Sequence, residues 1–394
     1  MTYLQIFMVM SLPVTGMCYA ALGALKLPLA ERLKLDEAKV GGLVASFGFM
    51  VGPIILLSGF LADALGRKGV WLGGTALVAL SLFMLSRARN FRWAMLAVAM
   101  LSAGWAAMIN VANVLMYLAY SNVFMATNLL DCFFGLGAFL TPILAVWLVR
   151  KFGFGTGVSA LGLLTLLPFL MALPLEMQGA ATAQPAGFDV LLRDPVMWLC
   201  GLTLLLWVPL ESCTAAWATT LVQRLTPAGE DEKRSARISA WALSAFWFCF
   251  MGSRLIAALI EHGSTATAAE TVHTARIVHI ALAVAMGCVM LGLAFSRRRG
   301  FTFGLLVAAG LIAGPFFPNL MALLLTHFPA AVHGRAVGML FAMGSVGWTV
   351  IPSIMGAVAK RRGVPRAFLV AALCALILLG VLITHSVYAS NSAR

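Results

Sequence analysis

Two carboxylates, Asp131 and Glu211, lie well inside apolar stretches, whereas the other acids among the 14 in the chain lie near the ends of such stretches. Ionisable side chains are costly in apolar surroundings, so these two are functional candidates. A carboxyl group placed there can bind and release a proton near neutral pH, which predicts proton coupling through Glu211 or Asp131. The structural alternative is a buried carboxylate paired with a base, and Arg254 would be its partner.

Amides and indoles in the same apolar stretches predict contacts with a solute rich in hydroxyl groups. The amides of Asn110, Asn113 and Asn319 can donate and accept hydrogen bonds at once, as hydroxyl groups require. Indoles offer flat apolar faces to a sugar ring, and the candidates are Trp207, Trp217 and Trp247. Each residue also has a structural interpretation, because asparagines join transmembrane helices and tryptophans mark membrane interfaces.

The elements that must position these residues are membrane-spanning helices. The chain is 62% hydrophobic and 10% charged, with a mean hydropathy of +0.97, which excludes a soluble globular domain. A helix of about 20 mostly apolar residues spans a bilayer. The sequence contains twelve such runs, near 4–26, 40–64, 70–86, 93–119, 124–149, 156–175, 195–222, 237–260, 275–295, 301–326, 334–359 and 366–387.

Charge and cysteine usage exclude further partners and sites for this membrane protein. The net charge of +13 comes from bases that stand singly or in twos and threes at the ends of the apolar runs. Topology-setting residues are distributed in this way, so we expect no nucleic-acid partner. The seven cysteines are scattered without paired spacing, which predicts neither disulfides nor a metal site. The first run is too long for a secretory signal and lacks a small-residue cleavage site, so it predicts a helix.

The runs divide into two sets of six around a hydrophilic interval. We therefore expect an N-terminal half at 1–176, a central loop at 177–194 and a C-terminal half at 195–394. An internal repeat supports this division. Gly137, Pro142 and Gly153 recur without a gap as Gly347, Pro352 and Gly363. The prolines are expected to kink the fifth and eleventh helices. The predicted fold is an all-α membrane protein with two pseudo-symmetric six-helix halves.

Residues 59–68 (GFLADALGRK) form a charged turn between the second and third runs. The turn resembles the signature loop of the major facilitator superfamily of transporters, with Ala64 where the family usually has a base. The resemblance implies that Asp63 caps a neighbouring helix and pairs with a base across the cytoplasmic gate. A carboxylate favours a helix N-terminus through its exposed amides. Arg67 and Lys68 are expected to anchor the loop at lipid headgroups. The predicted gating residues of this turn are Gly59, Asp63, Gly66, Arg67 and Lys68.

Further motifs resemble the fucose permease-like sugar transporters within this superfamily. Residues 206–217 (LWVPLESCTAAW) resemble their helix 7, and residues 314–319 (GPFFPN) resemble their helix 10. Residues 245–254 (AFWFCFMGSR) resemble their helix 8 with a serine inserted, and its final Arg254 joins the predicted gating residues. Asn110 and Asn113, followed by Asn128 and the Phe134 motif, complete the match. Helix 1 lacks the acid that this group can carry there and offers Thr15 and Tyr19 instead. Coupling through Glu211 or Asp131 and uniport therefore both stay open.

The resemblance implies a secondary transporter that moves a sugar or similar small polar solute by alternating access. The alternative in the same superfamily is an exporter of amphipathic or cationic compounds. A membrane enzyme would need a catalytic constellation, and the six histidines form no pair at catalytic or ligand spacing. We expect a monomer in a bacterial inner membrane, with the solute, protons and lipid as partners, and with no cofactor. The first, fourth, seventh and tenth helices are expected to line the cavity.

Orientation in the membrane gives two conflicting predictions. The resemblance places both termini and the Arg67–Lys68 loop in the cytoplasm. Most of the lysines and arginines instead lie in the odd-numbered loops, at the opposite end of the helices. Cytoplasmic loops carry an excess of these residues, so the charge count would place the termini outside. We follow the resemblance, because the signature loop and the repeat agree with each other.

Overall fold

The computed structural model describes residues 1–177, 188–227 and 229–392, and within these ranges it contains helices and no strand. The helices are α1 (Tyr3–Leu33), α2 (Glu37–Leu65), α3 (Arg67–Ser86), α4 (Phe91–Ala119), α5 (Val123–Leu164), α6 (Leu166–Ala172), α7 (Asp189–Arg193), α8 (Pro195–Gln223), α9 (Glu232–Gly263), α10 (Ala268–Phe295), α11 (Arg299–Ala313), α12 (Phe316–His327), α13 (His333–Arg362) and α14 (Val364–Ser392). A 3-10 turn at Ala330–Val332 precedes α13.

Capping side chains fix where several helices begin. Thr2 and Thr267 each form a capping box with the residue three positions later. Asn90 accepts a hydrogen bond from the backbone amide of Trp93 at 3.0 Å, and Asp194 accepts one from the amide of Val196 at 2.8 Å. The first amides of a helix have no partner within it, so a short polar side chain at this position stabilises the start.

Within the described ranges, eleven helical stretches are long and apolar enough to cross a membrane. One of them, Val123–Ala172, is 50 residues long, which is more than twice what one crossing needs. Gly153 interrupts it with φ 77° and ψ 163°, a left-handed conformation that favours glycine. The stretch therefore contains two crossings, and the predicted twelve-helix membrane fold is confirmed. Pro142 lies within α5, eleven residues before this turn.

The chain forms two compact units. Unit 1 comprises Met1–Leu191 with Leu325–Ala342, and unit 2 comprises Leu192–Leu324 with Met343–Arg394. We call Leu325–Ala342 the crossover segment, because it follows ten of the predicted spans in sequence but packs within unit 1. Most of the predicted central loop, from 178 to 187, lies outside the described residues.

The internal repeat marks equivalent close helix contacts in the two units. In unit 1, a side chain at Gly137 of α5 would overlap the backbone carbonyl of Pro13 in α1. In unit 2, a side chain at Gly347 of α13 would overlap the backbone carbonyl of Leu205 in α8. Without a driving force from water, transmembrane helices associate through such close backbone packing. These two glycines therefore set the same helix pairing in each unit.

The same repeat also marks two equivalent turns. Gly153 has φ 77° and Gly363 has φ 88°. Gly153 begins the return crossing after α5, and Gly363 lies between α13 and α14. Only glycine adopts this backbone region without a steric penalty, so both turns require it.

We predict that Gly137→Ala lowers stability by about 1–3 kcal/mol, because a methyl group placed against the Pro13 carbonyl forces the helices apart. The matched control is Gly73→Ala on α3, where a methyl group meets nothing within 4 Å. That change should leave stability unchanged or raise it by up to about 1 kcal/mol through helix propensity. Thermal unfolding of the detergent-purified variants measures both, and equal midpoints for the two variants would contradict the contact.

Candidate functional site

An aromatic cluster lies in the core of unit 1, where four helices converge. The ring of Tyr19 on α1 lies 5.1 Å from Trp105 on α4, 5.9 Å from Phe134 on α5 and 6.3 Å from Phe47 on α2, measured between centroids. Trp105 is 4% exposed, and its indole Nε1 has no hydrogen-bond partner among the described residues. Buried polar atoms are nearly always paired. The cluster therefore combines apolar faces with a donor that is open to a further acceptor.

The two asparagines predicted on α4 are both buried but lie in different surroundings. Asn113 donates to the backbone carbonyl of Ile109 at 2.8 Å. Asn110 donates to the carbonyl of Gly334 at 2.9 Å, so it contacts the start of α13. The side-chain oxygen of each lacks a partner within the described ranges. Asn113 lies two turns beyond Trp105 on α4, whereas Asn110 joins α4 to the crossover segment.

The two predicted acids belong to different units. Asp131 on α5 is 5% exposed and lies three residues before Phe134, so both occupy one face of the helix. Glu211 on α8 is half-buried, two residues after Pro209. Each carboxylate lies within a membrane-spanning stretch. A role in proton coupling stays a prediction for both.

The predicted tryptophans of unit 2 differ in their exposure. Trp207 on α8 is completely buried, and its ring stacks on Phe316 of α12 at 3.5 Å and an interplanar angle of 7°. Trp217 is half-buried, and its ring lies 5.9 Å from that of Phe368 at an interplanar angle of 63°. Trp247 on α9 is 36% exposed. Solute contact with Trp207 would therefore require the stack on Phe316 to open.

A break between α11 and α12 creates carbonyl groups that a helix cannot satisfy. A helical carbonyl accepts from the amide four residues later, and proline has no amide hydrogen. Pro315 therefore removes the donor for Leu311, and Pro318 removes the donor for Gly314. Arg254 of α9 replaces the donor that Pro318 lacks, because its Nε donates to the Gly314 carbonyl at 2.8 Å. The predicted gating residue Arg254 thus supports the broken helix.

The half-buried Asn319 follows Pro318 in the first turn of α12. Its backbone amide donates to the carbonyl of Pro315 at 3.1 Å. The residue therefore lies directly beside the break, and solute binding by its side chain stays a prediction.

The charged turn between α2 and α3 binds the start of α13 within unit 1. Asp63 accepts from the Gly334 amide at 3.1 Å, and from the Arg335 amide and Nε at 2.9 and 3.0 Å. Gly59 allows this approach, because a side chain there would overlap the Gly334 carbonyl. Gly66 ends α2 with φ 95°. One carboxylate therefore satisfies two free amides of a helix start and one guanidinium.

Arg67 does not lie at the lipid headgroups, and that expectation is wrong. It is 3% exposed and donates to the carbonyl of Ala330 in the crossover segment at 3.1 Å. Lys68 donates from Nζ to the carbonyl of Leu173 at 2.7 Å. Both bases donate hydrogen bonds to backbone carbonyls, because the charged turn packs against the Leu173 end of α6 and the Ala330 turn before α13.

Three further residues were missed from the sequence. Trp105 completes the aromatic cluster. His333 is buried at the start of α13, donates to the Phe328 carbonyl at 2.8 Å and meets the ring of Tyr117 edge-on at 4.6 Å. His279 is buried in α10 beside Phe316. Histidines without pair spacing gave no sequence signal, and only the packing of distant helices reveals their surroundings.

We predict that Asp63→Asn destabilises the protein by about 1–3 kcal/mol, because hydrogen bonds to a charged acceptor are lost. If the contact serves gating, turnover should slow while solute affinity changes little. The control is Asp36→Asn at the start of α2, where the carboxylate is exposed and pairs with Lys39, an arrangement of small stabilising value. Thermal unfolding measures the stability of both variants, and transport kinetics measure their turnover and solute affinity. A large loss of solute affinity in Asp63→Asn would refute a gating role.

A second prediction concerns the carbonyl of Gly314. Arg254→Gln should destabilise by about 1–3 kcal/mol, because a buried carbonyl loses its donor. Pro318→Ala restores an amide to that carbonyl, so Arg254→Gln should cost less in the Pro318→Ala background. The double-mutant cycle is measured by thermal unfolding, and we expect a coupling of at least about 0.5 kcal/mol. Strict additivity would show that Arg254 does not replace the missing amide.

The fold is similar to solved transporter structures over almost its full length. The crystal structure of the E. coli fucose:proton symporter FucP matches with a TM-score of 0.77 and 16% identity, covering 98% of this chain and 99% of that chain. A FucP structure in the outward conformation matches with the same values. The human organic anion transporter MFSD10 (TETRAN) matches with a TM-score of 0.78 and 15% identity, covering 96% and 99%. At these identities the likeness concerns the fold, and it agrees with the predicted resemblance to the fucose permease-like group.

A curated relative is Bypass of stop codon protein 6 of Saccharomyces cerevisiae (strain ATCC 204508 / S288c). It is 25% identical over 190 residues, which cover 47% of this chain and 36% of that protein. The chain therefore spans about a third of that relative's length.

The sequence model of the Major Facilitator Superfamily matches residues 7–269. This range contains the charged turn, the aromatic cluster, both intramembrane acids and Arg254. The chain belongs to the Major Facilitator Superfamily.

Proposed function

We propose that this protein is a secondary transporter that moves a small polar solute, a sugar or a sugar-like compound, across the membrane by alternating access. The carrying observation is the aromatic cluster of unit 1, in which the Trp105 indole donor has no partner among the described residues. Binding sites for small molecules are mostly apolar and hold a few precisely placed polar groups. The fold shared with the fucose:proton symporter FucP supports a sugar as the solute.

The solute would lie against the rings of Tyr19 and Trp105, with a hydroxyl group accepting from the Trp105 indole. The side-chain oxygen of Asn113 would accept from a second hydroxyl further along α4. A hydroxyl both donates and accepts, so it fits a lone donor and a lone acceptor equally well. Within unit 2, the amide of Asn319 and the indoles of Trp217, Trp247 and Trp207 are the proposed solute-binding side chains.

The crossover segment supplies the proposed gate. Asp63 and Arg67 hold it to the rest of unit 1, and it continues into the part of α13 that belongs to unit 2. Release of these contacts would free this end of α13 while leaving the helices themselves intact. Asn110 takes part through its bond to Gly334, so we assign it to this gate as well as to the solute path.

Proton coupling through Glu211 or Asp131 is the proposed energy source. A protonated carboxyl is tolerated in the membrane far better than a carboxylate, so proton binding alters the cost of moving the group between environments. A monomeric state in a bacterial inner membrane stays part of the proposal, although the yeast relative is a similar chain from outside bacteria.

The first test is solute-induced thermal stabilisation across hexoses, deoxyhexoses, nucleosides, organic anions and cationic dyes. We expect a sugar to stabilise the protein. Trp105→Phe should weaken the affinity for that sugar about fivefold, because one hydrogen bond of about 1 kcal/mol is lost. The control is Trp241→Phe, since Trp241 is 69% exposed. Stabilisation confined to dyes would identify an exporter of cationic compounds, and stabilisation by none of the panel would refute the proposed solute class.

A separate experiment tests the coupling. In proteoliposomes, Glu211→Gln should abolish uphill uptake and leave solute exchange intact, because exchange needs no net proton movement. The same measurement on Asp131→Asn separates the two candidates. Uphill uptake that survives both changes would exclude these carboxylates from proton coupling.

A further inference from the structure

His279 occupies an unusual position in the interior of unit 2. The side chain is 1% exposed on α10. Its Nδ1 lies 2.8 Å from the carbonyl oxygen of Ala275, and its Nε2 lies 3.0 Å from the carbonyl oxygen of Phe316. Both ring nitrogens therefore face hydrogen-bond acceptors.

The number of N–H groups on the His279 ring depends on its protonation state, whereas the number of carbonyl acceptors facing it stays at two. A neutral imidazole carries one N–H and one lone pair, whereas the imidazolium carries two N–H groups. A neutral ring would satisfy one carbonyl and direct its lone pair at the other. The imidazolium satisfies both carbonyls with charge-assisted bonds, but its charge is costly in the apolar interior. Both the neutral ring and the imidazolium therefore carry an energetic cost. The distance between Nε2 and the Phe316 carbonyl oxygen decides which of these two protonation states prevails.

Phe316 is the first residue of α12 and lies directly after the break from α11. Its ring contacts His279 edge-on at 4.5 Å and stacks on Trp207 of α8. Arg254 of α9 holds the other side of the break through the Gly314 carbonyl. Movement of the break would therefore change the distance between His279 Nε2 and the Phe316 carbonyl oxygen.

The charged and titratable groups around His279 come from five helices. On α10 itself, Arg276 lies three residues earlier and beside Cys200 of α8, and the exposed His273 lies further along. Arg254 is fixed at the break, and α11 has its one charged residue at its first position, Arg299. The remaining groups are Glu211 and Cys213 on α8, and Cys374 and His385 on α14, whereas the part of α12 that belongs to unit 2 has no charged residue.

We propose that His279 is a proton-binding site whose occupancy sets the position of the α11–α12 break. With a proton on both ring nitrogens, α12 is held against α10 through the Phe316 carbonyl. Loss of the proton on Nε2, with the remaining proton on Nδ1 donated to the Ala275 carbonyl, turns the Phe316 contact into repulsion between a lone pair and a carbonyl oxygen, and the first turn of α12 moves away. The link from this movement to solute affinity rests on the proposed transport function, because α12 also carries Asn319.

The direct test is nitrogen NMR of protein labelled at its six histidines. The His279 resonance is assigned by its loss in His279→Gln or, if that variant does not fold, by elimination with variants of the other histidines. We expect His279 to change from imidazolium to a neutral ring protonated at Nδ1 as the pH rises through the mildly acidic range. A single neutral tautomer throughout this range, or a neutral ring protonated at Nε2, would overturn the proposal.

The second measurement is solute affinity as a function of pH. We expect the dissociation constant of the wild type to change by up to about tenfold per pH unit, the limit for one linked proton. His279→Gln should remove the part of this dependence that falls in the pH range of the His279 titration, whereas His273→Gln, on the exposed side of the same helix, should retain it. A titrating His279 with unchanged affinity would overturn the link to the solute. If no solute binds, the proposed function fails, and the NMR titration still decides whether His279 binds the proton.

Discussion

The requirement that every backbone amide and carbonyl find a partner inside the bilayer governs this structure. Continuous helices meet it without help, so the informative places are those where a helix starts, ends or breaks. At two of them a charged side chain replaces the missing backbone partner. Asp63 satisfies the free amides at the start of α13, and Arg254 satisfies the carbonyl that Pro318 leaves without a donor. The charged residues of the interior therefore serve the backbone as well as any solute.

Conformational change in such a protein is cheapest where helices are already interrupted. Bending a continuous helix would break internal hydrogen bonds, whereas a break held by side chains can exchange one partner for another. The crossover segment is held by Asp63 and Arg67, and the α11–α12 break is held by Arg254 and His279. One attachment lies in unit 1 and the other in unit 2, so each unit contains one helix end or break that is held by side chains.

The close helix contacts have a different physical origin. Gly59, Gly137 and Gly347 each lie against the backbone carbonyl of another helix. Dispersion forces act over short distances, so a missing side chain lets two backbones gain contacts that larger residues would prevent. Because the contacts at Gly137 and Gly347 are equivalent, the two units share one packing scheme although their sequences have diverged elsewhere. The glycine at 59 adds a third contact of this kind at the charged turn.

The sequence by itself determined the class, the twelve crossings and the repeat, because hydropathy and glycine or proline positions act locally along the chain. The resemblance of the charged turn to the superfamily's signature loop implied that Asp63 would meet a helix start and a base. The sequence did not indicate that Arg67 is buried against Ala330, that Trp207 stacks on Phe316, or that Asn110 binds Gly334. Each of these depends on a contact between residues more than one hundred positions apart. Side-chain type limits which bonds a residue can make, and only the packing of the helices decides which partner is within reach.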